Sequence, residues 1–112
     1  MPVPGAREKI ARAVLDWPEV KAHAHRFGGT EFRLKSREIG HVHGDHLVDI
    51  PFPTRVRQEL VAAGQAQPHH VLPDSGWVSI YLGKPADVDG AIDLLHRSYQ
   101  IAAAQYARRA AG

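Results

Sequence analysis

Hydrophobic residues recur at helical spacing in three segments of the chain. The first covers residues 7–17 and ends before Pro18, because proline disfavours the α conformation in the residue that precedes it. The second begins at Thr54, which we place as an N-cap, and ends at Gly64. The third begins at Pro85 and runs into an alanine-rich end. The three apolar faces are Ile10, Val14 and Trp17; Val56, Leu60 and Ala63; and Val88, Ile92, Leu95, Tyr99 and Ala102.

Five other segments have the patterns of strands, four by alternation along the chain and the last by its content of β-forming residues. They are residues 20–27 (a strand or an extended segment), 30–35, 37–43, 46–52 and 77–82. Gly28-Gly29 and Gly44-Asp45 supply tight turns among the first four, which indicates an antiparallel run. The inward-facing residues have even numbers up to Leu34 and odd numbers from Ile39 to His43. Either a hairpin turn or a β-bulge near Lys35-Ser36 would explain this change. Pro51 indicates an edge strand or a strand end.

The order of these elements predicts an α+β fold. A small antiparallel sheet of four to five strands carries two to three helices packed mainly on one face, in the order α-β-β-β(β)-α-β-α. Residues 65–76 form a loop. The chain has 112 residues, no internal repeat and no linker, so we expect a single domain over residues 1–112.

Composition narrows the class of protein. The absence of cysteine excludes disulfides, a zinc ribbon and a thiol nucleophile. The N-terminal residues show no secretory signal and no stretch approaches the roughly 18 apolar residues of a membrane span, so we expect a cytoplasmic protein without a membrane partner. A sequence pI of about 9.2 would suit a nucleic-acid partner. The formal charge is only +2 and the basic residues are dispersed along the chain, so we do not favour such a partner.

The eight histidines are the most unusual feature of the composition. His41 and His43 lie two apart on a predicted strand, so both imidazoles project from one face about 7 Å apart. Arg37 shares their parity if the strand is regular, whereas Glu38 faces the opposite side. Such a pair suits any of three roles: proton transfer, metal binding or an ordinary structural role. Proton transfer is possible because the pKa of histidine lies near working pH. We assign the structural role to His23, His25 and His96.

Residues 37–43, with the sequence REIGHVH, resemble a segment of the luciferase-domain family. That family includes fungal hydroxyhispidin luciferase and short bacterial "luciferase family" proteins. Further similarities follow in the same order: Gly64 with His69, the WVSIY segment at residues 77–81, and an acidic-start helix at residues 87–98. The resemblance covers residues 37–99. The order of elements is also similar to that of the MmcQ/YjbR-like proteins, some of which are proposed to bind DNA.

The resemblance implies a small-molecule pocket and an oxygen-dependent oxidation of an enol or hydroxypyrone without a cofactor. In that oxidoreductase, His41 or His43 would act as the base and Arg37 would hold the enolate. The remaining residues of the pocket would be His69, Tyr81, Trp77 and Asp49, although core packing is the ordinary role of the two aromatic residues.

Two alternatives stand beside this expectation. The first is a metal-dependent enzyme, in which His41 and His43 with His46, Asp49 or His69 would bind a transition metal such as Fe(II), Mn or Zn. The second is a non-catalytic module for nucleic acid or protein. It predicts one basic face formed by Arg33, Lys35, Arg55 and Arg57.

Overall fold

The computed structural model describes residues 2–25 and 28–112. Within them, three helices and six strands follow one another along the chain. They are α1 (Ala6–Val14), β1 (Val20–Ala24), β2 (Thr30–Leu34), β3 (Arg37–His43), β4 (Leu47–Pro51), α2 (Thr54–Ala62), β5 (Gln67–Pro68), β6 (Trp77–Tyr81) and α3 (Pro85–Ala111). All neighbouring strands pair antiparallel, in the spatial order β1-β2-β3-β4-β6-β5.

The α+β class and the order of elements are confirmed. The sheet has six strands rather than four to five, because β5 lies in the segment 65–76 that we expected to be loop. The first helix ends at Val14, three residues before the predicted Trp17, and Pro53 rather than Thr54 occupies the N-cap of α2. Pro51 ends β4, which is a central strand and not an edge. The last two residues of the predicted extended segment 20–27 lie outside the described residues.

One hydrophobic core joins the sheet to the helices. Helix α3 packs across β2, β3, β4 and β6, while α1 packs on α3. The side chains that are fully enclosed include Phe32, Ile39, Ile50 and Leu95. The core therefore covers one face of the sheet, and the opposite face is left for polar side chains.

Within the part of the chain that the structure describes, no helix is both long enough and apolar enough to cross a membrane.

The hairpin between β2 and β3 contains both irregularities that the sequence left as alternatives. Lys35 and Ser36 form a two-residue turn, and a bulge follows, since Arg33 pairs with Glu38 but Phe32 pairs with Gly40. Ile39 is the extra residue. The bulge reverses the alternation of β3, so Glu38 lies on the same face as His41 and not opposite to it.

Gly40 makes the close packing beside this bulge possible. Its φ is +152°, and a Cβ at this position would lie 2.4 Å from Leu95 Cδ2 and 3.1 Å from the Asp49 carbonyl oxygen. We expect Gly40→Ala to lower the free energy of unfolding by about 2 kcal/mol, through overpacking and backbone strain. Gly90→Ala is the control, because a Cβ at this helical position would meet no atom within 4 Å. Alanine there should raise the free energy of unfolding by about 0.5–1 kcal/mol. Equal effects of the two substitutions in urea unfolding would contradict the packing argument.

Candidate functional site

A row of polar residues crosses the sheet on the face opposite α3. The strand register aligns Ser79, Asp49, His41 and Glu31 as direct neighbours on β6, β4, β3 and β2. Residues paired in this way place their side chains on the same face of a sheet. All four are buried although all four are polar, so hydrogen bonds or charges must compensate their burial.

Asp49 is the centre of this row. Four imidazole Nε2 atoms surround its Oδ2 atom: that of His41 at 3.1 Å, those of His43 and His70 at 3.3 Å, and that of His69 at 3.5 Å. We call these five residues the histidine–aspartate cluster. His41 and His43 come from β3, whereas His69 and His70 follow β5. The cluster therefore joins the middle of the sheet to the loop that begins after Pro68.

Further contacts fix the orientation of the cluster. The Ser79 hydroxyl donates to Asp49 Oδ1 at 2.6 Å, and His41 Nδ1 lies 2.6 Å from Glu38 Oε2. The backbone N–H groups of Val71 and Leu72 both donate to His69 Nδ1 at 3.1 Å. Each of these contacts engages the atom that does not face the centre of the cluster, so Asp49, His41 and His69 are held in place from behind.

The buried carboxylate strongly perturbs the titration of its neighbours. Burial alone would lower the pKa of His41, but its hydrogen bonds with Asp49 and Glu38 outweigh burial and raise the pKa to about 9. Burial, followed by the nearby His41, lowers the pKa of His43, and burial likewise lowers the pKa of His69. For Asp49, burial is opposed by hydrogen bonds from His41 and Ser79, which hold the pKa of the carboxyl well below its usual range.

A cavity of about 420 Å³ opens above the cluster. Its polar floor is formed by the cluster with Glu38 and His25, and its apolar wall by Val71, Leu72 and Trp77. The Trp77 ring lies 5.3 Å from that of His41 and 6.0 Å from that of His69. Val71 and Leu72 are 68% and 50% exposed, so they lie at the mouth. Such a volume, with polar groups converging under an apolar wall, suits a small molecule.

Five of the residues proposed from the sequence meet in this cavity: His41, His43, Asp49, His69 and Trp77. The other three do not line it. Arg37 pairs with buried Leu34, on the core face of the sheet. Tyr81 lies at the exposed end of β6, and His46 lies in the turn between β3 and β4. The expectation that Arg37 shares the face of His41 is wrong, because the bulge at Ile39 reverses the alternation between them.

Sequence reasoning missed three polar residues of the cavity, in addition to Val71 and Leu72. Glu38 was placed on the wrong face for the same reason as Arg37. His25, expected to be structural, stacks on His41 with ring centroids 3.9 Å apart and its Nδ1 lies 3.3 Å from Glu31 Oε1. His70 stacks on His69 at 4.3 Å, and the adjacency of two histidines in one loop was the signal that could have found it.

The protein is thus an antiparallel α+β domain with a histidine-rich cavity on the sheet face opposite α3. The sequence model of the luciferase domain family matches residues 36–98, more than half of the chain. The protein therefore belongs to the luciferase domain family. The matched range contains the whole histidine–aspartate cluster, Glu38 and Trp77, whereas His25 lies outside it. Comparisons with curated proteins and with solved structures find no match.

Proposed function

We propose that this luciferase-domain protein binds a small, flat enol or hydroxypyrone-like acid in the cavity and oxidises it with O2. The observation that carries the proposal is the division of the cavity into a polar floor and an apolar wall. Trp77, Val71 and Leu72 suit the face of a planar ring, while the floor suits the oxygen atoms of an enol. Membership of the luciferase domain family supports this chemistry.

The proposed reaction consumes one enol and one O2. The enol proton passes to the histidine–carboxylate network of the floor, and the enolate carbon donates an electron pair to O2. A carbon–oxygen bond forms, the carbon is oxidised and O2 is reduced to the level of a peroxide. The outer oxygen then takes the proton back, so the first product is a hydroperoxide of the substrate. His41, His43 and Asp49 lie closest to these events, and His69 and Trp77 hold the ring.

Oxygen uptake with a panel of hydroxypyrones and related enols tests this function. We expect one O2 consumed per substrate molecule, and we expect His41→Gln and His43→Gln each to lower kcat at least about 100-fold, since both act at the reacting end. His23→Gln is the matched control, because His23 is an exposed histidine on the same sheet face, outside the cavity. Turnover that survives both substitutions in the cavity would contradict the proposal.

The alternative of a nucleic-acid-binding module receives less support from the geometry. It predicted one basic face formed by Arg33, Lys35, Arg55 and Arg57. The first two lie on and after β2, whereas the other two lie on α2, which packs against β5 and β6 near the other edge of the sheet. Arg33 is also paired with Glu31, and the Arg57 guanidinium donates to the Pro73 carbonyl oxygen. We therefore retain the small-molecule function.

A further inference from the structure

Four histidines crowd one oxygen atom more closely than hydrogen bonding requires. A carboxylate oxygen offers two lone pairs, yet four Nε2 atoms lie within 3.5 Å of Asp49 Oδ2. Ser79 already occupies the other carboxylate oxygen. At least two of the four imidazoles therefore lie beside Oδ2 without a lone pair of that oxygen to accept their hydrogen bond. Hydrogen bonding alone does not explain why four Nε2 atoms lie so close to one oxygen atom.

The distances match those between neighbouring donor atoms in one coordination sphere. With bonds of about 2.0–2.1 Å to a tetrahedral metal ion, two donor atoms lie about 3.3 Å apart, and in octahedral geometry they lie about 3.0 Å apart. The Nε2 atoms of His41, His43 and His70 lie 3.1, 3.3 and 3.3 Å from Asp49 Oδ2. The ligand atoms of His41 and His43 also lie within 4.8 Å of each other, as do those of Asp49 and His70, so the cluster joins two groups of metal-binding side chains at Asp49.

Hydrogen bonds on the far side of two of the rings distinguish a ligand, His41, from a non-ligand, His69. Glu38 accepts from His41 Nδ1–H, so a metal ion that takes the place of the proton on His41 Nε2 would complete the carboxylate–histidine–metal arrangement common in proteins. His69 is different, because its Nδ1 atom accepts two backbone N–H groups. Its Nε2 atom therefore carries the hydrogen and can donate to Asp49, but it cannot bind an ion.

We propose that the histidine–aspartate cluster binds one divalent first-row transition-metal ion through Nε2 of His41, His43 and His70 and Oδ2 of Asp49. Glu38 and Ser79 are positioning residues that hold His41 and Asp49. Three imidazoles and one carboxylate suit Fe(II), Mn(II) or Zn(II), and four protein ligands leave room for a further ligand at a five- or six-coordinate ion.

This inference rests on the proposed function and deepens it, because a divalent ion adds positive charge for an enolate at a site that contains two carboxyl groups. The cavity lining contains the carboxyl groups of Asp49 and Glu38 but, among the described residues, no lysine or arginine. Arg37, the cation expected from the sequence, lies outside it. A divalent ion would offset both carboxylates and bind an enolate oxygen from the side of the cavity.

Metal binding is tested without any substrate. Protein purified without a histidine tag is stripped with a chelator, freed of the chelator and titrated with Co²⁺, followed by visible absorption and calorimetry. We expect one Co²⁺ per chain, with affinity at least about 10-fold weaker in Asp49→Asn and in His70→Gln. Removal of a group that orients a ligand typically weakens binding 10–100-fold, and we expect that range for Glu38→Gln.

His46→Gln is the matched control, because His46 is an exposed histidine three residues after His43 that the sequence offered as a ligand. It should bind Co²⁺ as tightly as the parent. A parent that binds no Co²⁺, or a His46 variant that is weakened as much as the His70 variant, would overturn this site. Oxygen uptake by the stripped protein at the full rate would overturn the role of the ion in binding the enolate, while leaving the proposed function intact. Stoichiometric binding without turnover of any enol would support the site and contradict the function.

Discussion

Asp49→Ala should destabilise the metal-free protein by about 3–5 kcal/mol, measured by urea unfolding in excess chelator. The substitution removes the buried carboxylate that pairs with His41 and accepts from the Ser79 hydroxyl, and breaking a buried ion pair costs about this much. A loss of that size is a large share of the 5–15 kcal/mol that stabilises a typical domain, and it corresponds to a fall in Tm of roughly 12–20 °C. The cavity should lose its ligand-binding properties with it.

Asp93→Ala is the matched control for this effect. Asp93 lies exposed on α3, so its replacement should change stability by no more than about 0.5 kcal/mol. Asp49→Asn preserves the shape of the side chain and one acceptor oxygen, and it should fall between the two alanine variants. If the free energy of unfolding of Asp49→Ala lay within about 1 kcal/mol of that of the parent, the Asp49 carboxylate would not be compensating the buried charge of the cluster.

The fold could largely be predicted because local rules decide most of its elements. Apolar spacing located α2 and α3, and alternation located β2, β3, β4 and β6, since burial on one face imposes both patterns. The two-residue strand β5 is different. Gln67 and Pro68 are too few to show an alternating pattern. They form a strand because they pair with β6. A tertiary contact decides that element, so the sequence pattern is silent about it.

The site could be predicted only in part, and the bulge at Ile39 is the reason. A single extra residue moved Arg37 off the face of His41 and moved Glu38 onto it. The parity change between Leu34 and Ile39 indicated an irregularity, but either a turn or a bulge could satisfy it, and only the bulge alters which charged residue faces the cavity. The chemistry of the site thus depended on the one local feature that alternation leaves open.

The central role of Asp49 also depends on pairing between distant strands. The sequence offered it as one pocket residue among several, an acidic residue among apolar neighbours on β4, and gave no sign that it lies at the centre. The register of β3, β4 and β6 places it between His41 and Ser79, and the loop after β5 brings His69 and His70 to the same oxygen. Spacing along the chain indicates candidate residues, while register determines which of them meet.

The stability of the metal-free protein should reach its maximum near pH 6.5 and fall by about 3 kcal/mol as the pH rises to about 9. Folding raises the pKa of His41 from 6.5 to about 9, because its hydrogen bonds with Asp49 and Glu38 outweigh burial. The folded state thus holds this proton more tightly than the unfolded chain does. The resulting stabilisation is complete below pH 6.5 and is lost as the pH rises through 9.

On the acid side the sign reverses. Burial lowers the pKa values of His43 and His69, so the unfolded chain binds more protons than the folded state does just below pH 6.5. Stability should therefore fall there as well. Urea unfolding in excess chelator at closely spaced pH values measures both limbs. His41→Gln should abolish the alkaline decline specifically, because the titrating imidazole is gone. A variant that keeps the full decline between pH 6.5 and 9 would show that another group carries it, and that the proton of His41 is not held by the two carboxylates.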